Sequence, residues 1–257
     1  MCQSAGVLIL LPPSEGKAAP PRRGRPVDTG RLTVPALTPV REKILDALSD
    51  LCADTDPARA RAVLGLGPTQ DDDVRRNAAL RTTPALAAAD LYTGVLYDAL
   101  GLTSLDAPAR RLANRSVLVF SGLWGVLRLT DRVPPYRCAV GTTLPGVGGL
   151  AAFWRPALTE ALTPSGLVLD LRSGAYAAMW QPPPARSVAV RVLQDRDGRR
   201  TVVSHFNKAT KGRMVRDLLS AGANPRTPSA LAGVLGDLGY TVEQPAPGRL
   251  DVVVTSL

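Results

Sequence analysis

Short apolar runs alternate irregularly with amphipathic segments along the chain. Unbroken apolar runs are typical of buried strands, whereas apolar residues spaced three or four apart are typical of helices. The pattern predicts strands at 7–11, 117–120, 168–171 and 250–254, helices at 39–50, 57–64, 84–100, 207–220 and 228–238, and a glycine turn followed by a helix within 144–162. Two further runs, 188–193 and 201–204, flank an Asp-Gly turn and predict a β-hairpin.

The order of these elements predicts the fold class. The chain has 257 residues, enough for one large domain, and it contains no repeat and no clear linker. Strands and helices do not alternate in a strict βαβ order. We therefore expect a single domain over residues 1–257, of the α/β or α+β class, with a mostly β core surrounded by helices.

Composition is that of a soluble globular protein. Hydrophobic residues make up 45% of the chain and charged residues 21%. No apolar run approaches the ~20 residues that a membrane-spanning helix needs, and the run at 7–11 is too short for a signal peptide. We expect a cytoplasmic protein without a membrane partner.

Cysteine and histidine are too sparse for most metal chemistry. The three cysteines lie far apart in the sequence, which supports neither a disulfide framework nor a zinc site. The one histidine, His205, excludes most histidine-based metal centres. We expect no metal site and no cofactor.

Charge indicates an anionic partner. The formal net charge is +9, which favours polyanions or phosphorylated ligands, although an arginine-rich composition alone also produces it. Lysines are few, and Lys17, Lys208 and Lys211 all lie in the segments analysed below. Double-stranded DNA or a phosphorylated small molecule is therefore the expected partner.

The first predicted strand ends in a polar turn, "LLPPSEGKAAP" at 10–20. A phosphate-binding P-loop is excluded, since Leu11 stands where the first glycine belongs and Ala18 replaces the Ser/Thr. Ser14 and Lys17 have the Ser-x-x-Lys spacing of a lysine-activated serine, but the partner motifs of that chemistry are missing. A turn with a solvated lysine is the simpler alternative.

A glycine hairpin is predicted at 144–152, "LPGVGGLAA". Helix-hairpin-helix modules use two such glycines, here Gly146 and Gly148, to bring backbone N–H groups to a DNA phosphate. A glycine turn before an ordinary helix is the alternative.

The predicted helix at 207–220 carries lysines on an unexpected face. Its apolar stripe consists of Met214, Val215, Leu218 and Leu219. Lys208 and Lys211 continue that stripe near the helix N-terminus, where the helix dipole disfavours cations. They line either an anion-binding cleft or a structural ion-pair site. His205 precedes them and is a weaker candidate for a catalytic base.

These stretches together resemble the YaaA family of peroxide-stress proteins. The matching segments are "LILLPPSEGK", "LYTGVL", "SGLWGVLRLTDRVPPYRCAVG", "FWRPALTEAL", "VLDLRSGAYAAMW" and "VVSHFNKATKGRMVRDLL", spread over roughly residues 7–240. The resemblance implies a single-domain α/β protein that helps to limit intracellular iron under peroxide stress. It also implies double-stranded DNA binding with a helix-hairpin-helix-like element.

The matched segments suggest one cationic cleft with stacking surfaces. We expect Lys17, Lys208, Lys211, Arg128 and Arg137 to surround it. Tyr92, Trp124 and Tyr136 are expected to offer aromatic faces for bases.

Three functions remain open at this point. The first is a DNA-binding protein of the peroxide response, with affinity from phosphate contacts. The second is an enzyme on a small anionic substrate, such as a nucleotide or an activated carboxylate, which would also fit a biosynthetic step. Its base or nucleophile is Lys17, Lys208, His205 or Ser14, and it predicts a closed pocket and a lysine of lowered pKa. The third is a basic protein whose lysines form structural ion pairs.

Overall fold

A computed structural model gives the fold and describes residues 6–54, 56–196, 199–201 and 204–254, without the side chains of 196, 199 and 204–206. The strands are β1 (Leu8–Leu11), β2 (Leu86–Ala87), β3 (Val117–Ser121), β4 (Gly125–Arg128), β5 (Arg132–Val133), β6 (Thr143–Leu144), β7 (Gly148–Gly149), β8 (Val168–Asp170), β9 (Ser187–Arg196), β10 (Arg199–Thr201), β11 (Thr241–Ala246) and β12 (Arg249–Val254). The helices are α1 (Thr38–Ala53), α2 (Pro57–Leu64), α3 (Asp71–Ala78), α4 (Ala88–Leu91), α5 (Val95–Leu100), α6 (Ala107–Ser116), α7 (Leu150–Ala161), α8 (Gly174–Ala177), α9 (Ser204–Ser220) and α10 (Pro228–Asp237). The mixed sheet surrounded by helices confirms the predicted α/β class.

The central sheet has the order β11-β12-β9-β8-β1-β3-β4, with β10 added to β9. The strands from β12 to β3 run parallel, and β11 and β4 pair antiparallel at the two edges. All four residues of β1 are buried, as expected of a strand covered on both faces. This explains why its sequence is an unbroken apolar run.

The connections create a crevice beside β1. From β1 the chain passes to β3 and β4 on one side, then returns to β8 and β9 on the other. Strand order therefore reverses between β1 and β8. In open α/β sheets the loops at the carboxyl ends of the strands diverge at such a reversal, and ligands bind there.

Helices α5 and α9 cross in close contact. Gly212 of α9 lies against α5, and a Cβ atom at this position would lie 2.2 Å from the Leu96 carbonyl oxygen. Only glycine permits this approach, so the backbones of the two helices are in direct contact.

A buried arginine joins α1 to the sheet edge. Arg41 is fully buried and donates hydrogen bonds to the carbonyl oxygens of Trp124 (3.1 Å), Val126 (3.0 Å), Thr33 (2.5 Å) and Val34 (3.2 Å). Val34 has a φ of 59°, a strained conformation for a β-branched residue. Arg41 therefore fixes a strained turn against β4.

The structure corrects one predicted helix. Residues 84–100 form β2, α4 and α5 rather than one helix, because Gly94 interrupts the pattern with a φ of 94°. The strands predicted at 7–11, 117–120, 168–171 and 250–254 are confirmed as β1, β3, β8 and β12. The predicted hairpin is also found, but its second strand is β10 at 199–201 rather than 201–204, and Ser204 begins α9. Among the described residues, no helix has the length and hydrophobicity to cross a membrane.

Candidate functional site

A cavity of about 510 Å³ lies at the carboxyl ends of β1 and β8, at the strand-order reversal. It is lined by the loop after β1 (12–17), residues 93–97 at the start of α5, residues 136–141, the loop after β8 with Ser173, Ala175 and Tyr176, and Lys208 of α9. This volume is within the range of small-ligand sites. We call it the Lys17 cavity.

The loop after β1 is fixed by hydrogen bonds to the start of α5. The Ser14 hydroxyl donates to the Gly16 carbonyl oxygen (2.6 Å) and accepts from the Thr93 backbone N–H (3.1 Å). The Tyr97 hydroxyl donates to the Pro12 carbonyl oxygen (2.7 Å). Ser14 therefore has a structural role that is sufficient to explain its position.

Lys17 projects into the cavity from this loop and is half-buried. Its Nζ atom donates to the carbonyl oxygens of Ser14 (2.9 Å) and Glu15 (3.3 Å). The same atom lies 4.4 Å from the ring centroid of Tyr136 and 5.8 Å from that of Tyr92. Backbone carbonyls and aromatic faces thus surround the amine, with no carboxylate in hydrogen-bonding contact among its described partners.

Burial lowers the pKa of Lys17 to about 8, and the positive charge of Arg137 adds to this effect. The charges of Asp73 and Glu15 and the Cys138 thiol oppose it more weakly. A substantial fraction of Lys17 is therefore neutral near physiological pH, when the amine is a nucleophile or a base.

Arg137 stands beside Lys17 on the loop after β5. Its backbone is held by Asn77, whose amide accepts from the Arg137 N–H (2.9 Å) and donates to its carbonyl oxygen (2.7 Å). Its guanidinium contacts the Glu15 carboxylate at 3.1 Å, and the Glu15 side chain is 83% exposed. A ligand anion can displace so exposed a partner at little cost.

The three predicted aromatic residues form a cluster below the cavity. The Tyr136 hydroxyl shares hydrogen bonds with the hydroxyls of Ser121 (2.6 Å) and Tyr92 (2.9 Å), and its ring meets Trp124 edge-on. Tyr136 lines the cavity, but Tyr92 and Trp124 are only 3% and 0% exposed. Their faces support Tyr136 from the core, so the expectation that they offer stacking surfaces is corrected.

The two lysines of α9 are separated by the fold. Lys208 is exposed and lines the Lys17 cavity. Lys211 is not among the residues that line the cavity; its Nζ donates to the Leu171 carbonyl oxygen (3.3 Å), and burial lowers its pKa. Lys211 therefore supports the loop after β8 rather than lining the cavity. His205 lies in the first turn of α9, and its side chain is outside the described part of the structure.

Arg128 lies away from the cavity, contrary to the expected cleft. Its guanidinium donates to the carbonyl oxygens of Asn114 (3.2 Å) and Arg115 (2.7 Å) in the last turn of α6. A cation at the carboxyl end of a helix is stabilised by the helix dipole. These contacts give Arg128 a structural role.

The glycine hairpin lies in a different region. Gly146 (φ 72°) and Gly148 (φ 90°) shape the β6–β7 hairpin before α7, but residues 134–142 before it are not helical. The first helix of a helix-hairpin-helix module is therefore missing at this place. The hairpin tip lines a separate, open cavity of about 420 Å³ together with two carboxylates, Asp50 and Asp54, and two cations, Lys43 and Arg59. The charges of these four side chains balance, so this cavity offers a phosphate no excess of positive charge.

Sequence reasoning missed the residues that position the loop after β8. Arg172 pairs with both carboxylate oxygens of Asp170 (2.8 and 2.7 Å) and lies 4.2 Å from the centroid of the Phe120 ring. It also donates to the Tyr176 carbonyl oxygen (3.3 Å), which places Tyr176 in the cavity wall. Burial raises the pKa of Tyr176 to about 12, so its hydroxyl stays protonated. The arginine directly after a buried strand was the available signal.

The described cysteines are unsuited to thiolate chemistry. Burial raises the pKa of Cys138 to about 12 and that of Cys52 to about 11. Both thiols therefore stay protonated, and protonated thiols react slowly with peroxide. Within the described ranges, no three His, Cys, Asp or Glu side chains are grouped so that they could hold a metal ion.

Comparisons with known proteins match nearly the whole chain. The model of a family described as "Peroxide stress protein YaaA" matches residues 7–246. A UPF0246 protein of Streptomyces coelicolor is 54% identical over 260 residues, covering 96% of this chain and 98% of that protein. A UPF0246 protein of Corynebacterium efficiens is 40% identical, covering 92% and 95%, and one of Methylibium petroleiphilum is 36% identical, covering 68% and 70%. The match to the family model spans every residue that lines the Lys17 cavity.

Proposed function

Because this chain belongs to the YaaA family of peroxide stress proteins, we propose that it serves the response to peroxide by binding the phosphates of double-stranded DNA across the mouth of the Lys17 cavity. The observation that carries this proposal is the convergence of Lys17, Arg137 and Lys208, three cations distant in sequence, on one cavity. Clustered cations bind the nucleic-acid backbone without sequence preference.

A basic loop follows Lys17 in the sequence. It begins directly after Lys17, and its backbone accepts from the Ala85 N–H at Arg25 (2.9 Å). Arg22, Arg23 and Arg25 are exposed, and their side chains contact no carboxylate among the residues that the structure describes. Such arginines are available for further contacts to a phosphate backbone.

Fluorescence anisotropy with a labelled, non-specific DNA duplex tests this proposal. We expect binding that weakens steeply with salt, and a loss of about 10-fold or more in Arg137→Gln/Lys208→Ala, which removes two cations that line the cavity, with a flatter salt slope. Arg111→Ala/Arg115→Ala, which removes the same charge from α6, is the matched control and should lose less than about 3-fold. Absence of binding by the native protein at low salt, or equal losses in both variants, contradicts the proposal.

A second candidate function is an enzyme acting on a small anionic substrate. It is favoured by a specific observation, the position of the half-buried Lys17 amine in a cavity of about 510 Å³ that is too small for a duplex. Small-ligand sites typically combine apolar walls with a few polar groups and a residue of perturbed pKa.

Calorimetric titration with inorganic phosphate and with nucleoside monophosphates separates the two candidates. The enzyme candidate predicts saturable binding that Arg137→Gln weakens by about 10-fold and that Arg22→Ala/Arg23→Ala leaves unchanged. If none of these anions binds while DNA does, the second candidate is wrong in its small-anion form.

A further inference from the structure

We propose that Lys17 is a carbonyl-reactive amine that forms an imine with a small aldehyde or ketone carrying an anionic group, such as an α-oxo acid. This inference deepens the second candidate function and rests on it. It depends on the geometry around the amine, the charges that face it, and the apolar walls of the Lys17 cavity.

The hydrogen-bond acceptors at Lys17 suit a neutral amine. A neutral amine has two N–H donors and one lone pair, whereas an ammonium has three donors. Nζ has two backbone acceptors, the carbonyl oxygens of Ser14 (2.9 Å) and Glu15 (3.3 Å). These two acceptors satisfy both N–H groups of the neutral form, and the lone pair remains free to attack. The face of Tyr136, 4.4 Å away, is the contact that stabilises the ammonium form.

The charged groups around Nζ also favour the neutral form. Two cations share the cavity, Arg137 from the loop after β5 and Lys208 from α9. The nearby carboxylates are engaged elsewhere, since Glu15 pairs with Arg137 and Asp73 pairs with Arg76. The pKa of about 8 for Lys17 agrees with this arrangement. Lysines desolvated beside another cation are the type that react with carbonyl carbons.

The remaining walls suit the ligand's anion and the loss of water. Arg137 provides a planar pair of donors for a carboxylate, and Glu15 is its exposed, displaceable partner. Part of the remaining wall is apolar, with Val95, Leu96 and Val140. Such a wall limits access of water to the reacting atoms, which favours imine over its hydrated precursor.

The proposed step needs no reagent beyond the carbonyl compound. The lone pair of Nζ attacks the carbonyl carbon, a C–N bond forms, and the carbonyl π electrons move to the oxygen. The amine gives up a proton and the oxygen gains one, which produces a carbinolamine. Protonation of its hydroxyl and expulsion of water then give the protonated imine, with no change of oxidation state.

The chain contains its own controls for this chemistry. It has four lysines, Lys17, Lys43, Lys208 and Lys211. Lys43 is exposed on α1 with its Nζ over the Phe153 ring (5.2 Å), outside the Lys17 cavity. Lys208 lines the same cavity but is exposed at its edge. Labelling of these residues in one sample distinguishes a reactive amine from a merely accessible one.

The test is trapping of the native protein with glyoxylate and sodium borohydride, followed by proteolysis and mass spectrometry. The expected result is a carboxymethyl adduct at Lys17 formed at least about 10-fold faster than at Lys43 or Lys208, with a rate that rises towards a plateau around pH 8. Labelling of Lys17 at or below the rate of Lys43 overturns the proposal, and this comparison needs no variant.

Variants locate the groups involved. Lys17→Arg should abolish the rapid labelling while keeping a cation, and Arg137→Gln should slow it by about 10-fold for glyoxylate but not for an uncharged aldehyde such as propanal. Equal slowing for both aldehydes, or rapid labelling in Lys17→Arg, contradicts the assigned roles. Circular dichroism of each variant reports whether the fold is retained.

A second arm identifies the source of the carbonyl group. A DNA duplex with one abasic site also combines an aldehyde with anionic groups, and borohydride would couple it to Lys17 if the sugar enters the cavity. Trapping of that duplex rather than glyoxylate assigns the carbonyl to nucleic acid, and trapping of neither overturns the proposal. The anisotropy and phosphate-binding measurements use no reductant, so failure of imine formation is distinct from failure of the proposed function.

Discussion

Two cations have been withdrawn from water in this fold, and their surroundings differ. Arg41 is fully buried, and its guanidinium donates to four backbone carbonyl oxygens. Two belong to the turn before α1 (Thr33 and Val34), and two belong to Trp124 and Val126 at the start of β4. Lys17 is half-buried, reaches two carbonyl oxygens, and faces a cavity on its remaining side. Burial lowers the pKa of both, to about 10 for Arg41 and about 8 for Lys17.

The difference teaches how to separate structural from chemical cations. Arg41 keeps its charge at physiological pH, and the backbone occupies its donors, so it has no free side for a ligand. Lys17 can lose its proton near neutrality, and an open volume adjoins its nitrogen. A lowered pKa alone therefore does not identify a site, whereas a lowered pKa beside a cavity does.

The largest effect is expected from breaking the Arg41 network. Arg41→Met leaves four carbonyl oxygens of Thr33, Val34, Trp124 and Val126 without their donor. We expect the free energy of unfolding to fall by about 3–5 kcal/mol, measured by urea unfolding. Arg111→Met on exposed α6 is the matched control, with a change within about 0.5 kcal/mol. A loss below about 1 kcal/mol for Arg41→Met would contradict the structural role that the comparison with Lys17 assigns to Arg41.

A smaller, pH-dependent effect is expected at Lys17. The folded-state pKa of about 8 lies below the ordinary lysine pKa of 10.5, so between these values the unfolded chain binds more protons than the folded one. The native protein therefore gains stability as pH rises from about 8 to 10.5. At pH 7, Lys17→Met should be more stable than the native protein by roughly 1–3 kcal/mol, and this advantage should shrink towards pH 10.

Thermal or urea unfolding of both proteins between pH 7 and pH 10 measures this difference in the free energy of unfolding. The contributions of the other titrating groups cancel, because both proteins contain them. Lys43→Met, at an exposed site, should differ from the native protein by a constant amount over the same range. A constant difference for Lys17→Met as well would mean that Lys17 keeps its proton, and the contrast with Arg41 would disappear.

The smallest effect is expected at the exposed ion pair beside Lys17. Glu15→Gln removes the carboxylate that contacts Arg137 at 3.1 Å, which frees the guanidinium for a ligand. Because exposed pairs contribute up to about 1 kcal/mol, affinity for inorganic phosphate should rise by about 2- to 5-fold in calorimetric titration. Asp72→Asn, which removes the exposed partner of Arg75 on α3, should leave it unchanged. Weaker binding in Glu15→Gln would indicate that the carboxylate contacts the ligand.

The buried parts of the fold were predictable, and the exposed parts were not. The strands β1, β3 and β8 are covered on both faces, so they need unbroken apolar runs that are visible in the sequence. Strand β11 is an exposed edge that contains Pro245, and an edge strand can omit both the apolar pattern and one donor. Helix α6 was missed because its short sequence carries a proline and several arginines.

The candidate site was predictable where a side chain's position follows from its element. Lys17 lies in the loop after a central strand, and Lys208 continues an apolar stripe towards the same edge of the sheet, so the fold brings both to one cavity. Residue type was misleading at two other positions. Trp124 is buried in the hydrophobic core and offers no face to a base, and the Arg128 guanidinium binds a carbonyl oxygen at the end of α6. For Trp124 and Arg128, neither the sequence pattern nor the charge shows whether the side chain faces the cavity.

The position of β1 has a consequence for synthesis of the protein on the ribosome. This central strand leaves the exit tunnel early, but its neighbours β3 and β8 contain residues 117–121 and 168–170. At about 5–20 residues per second, a completely apolar strand waits roughly 8–30 s for its second partner. During translation the chain therefore depends on protection of this segment by helix packing or by a chaperone, and slower translation beyond residue 121 would increase aggregation.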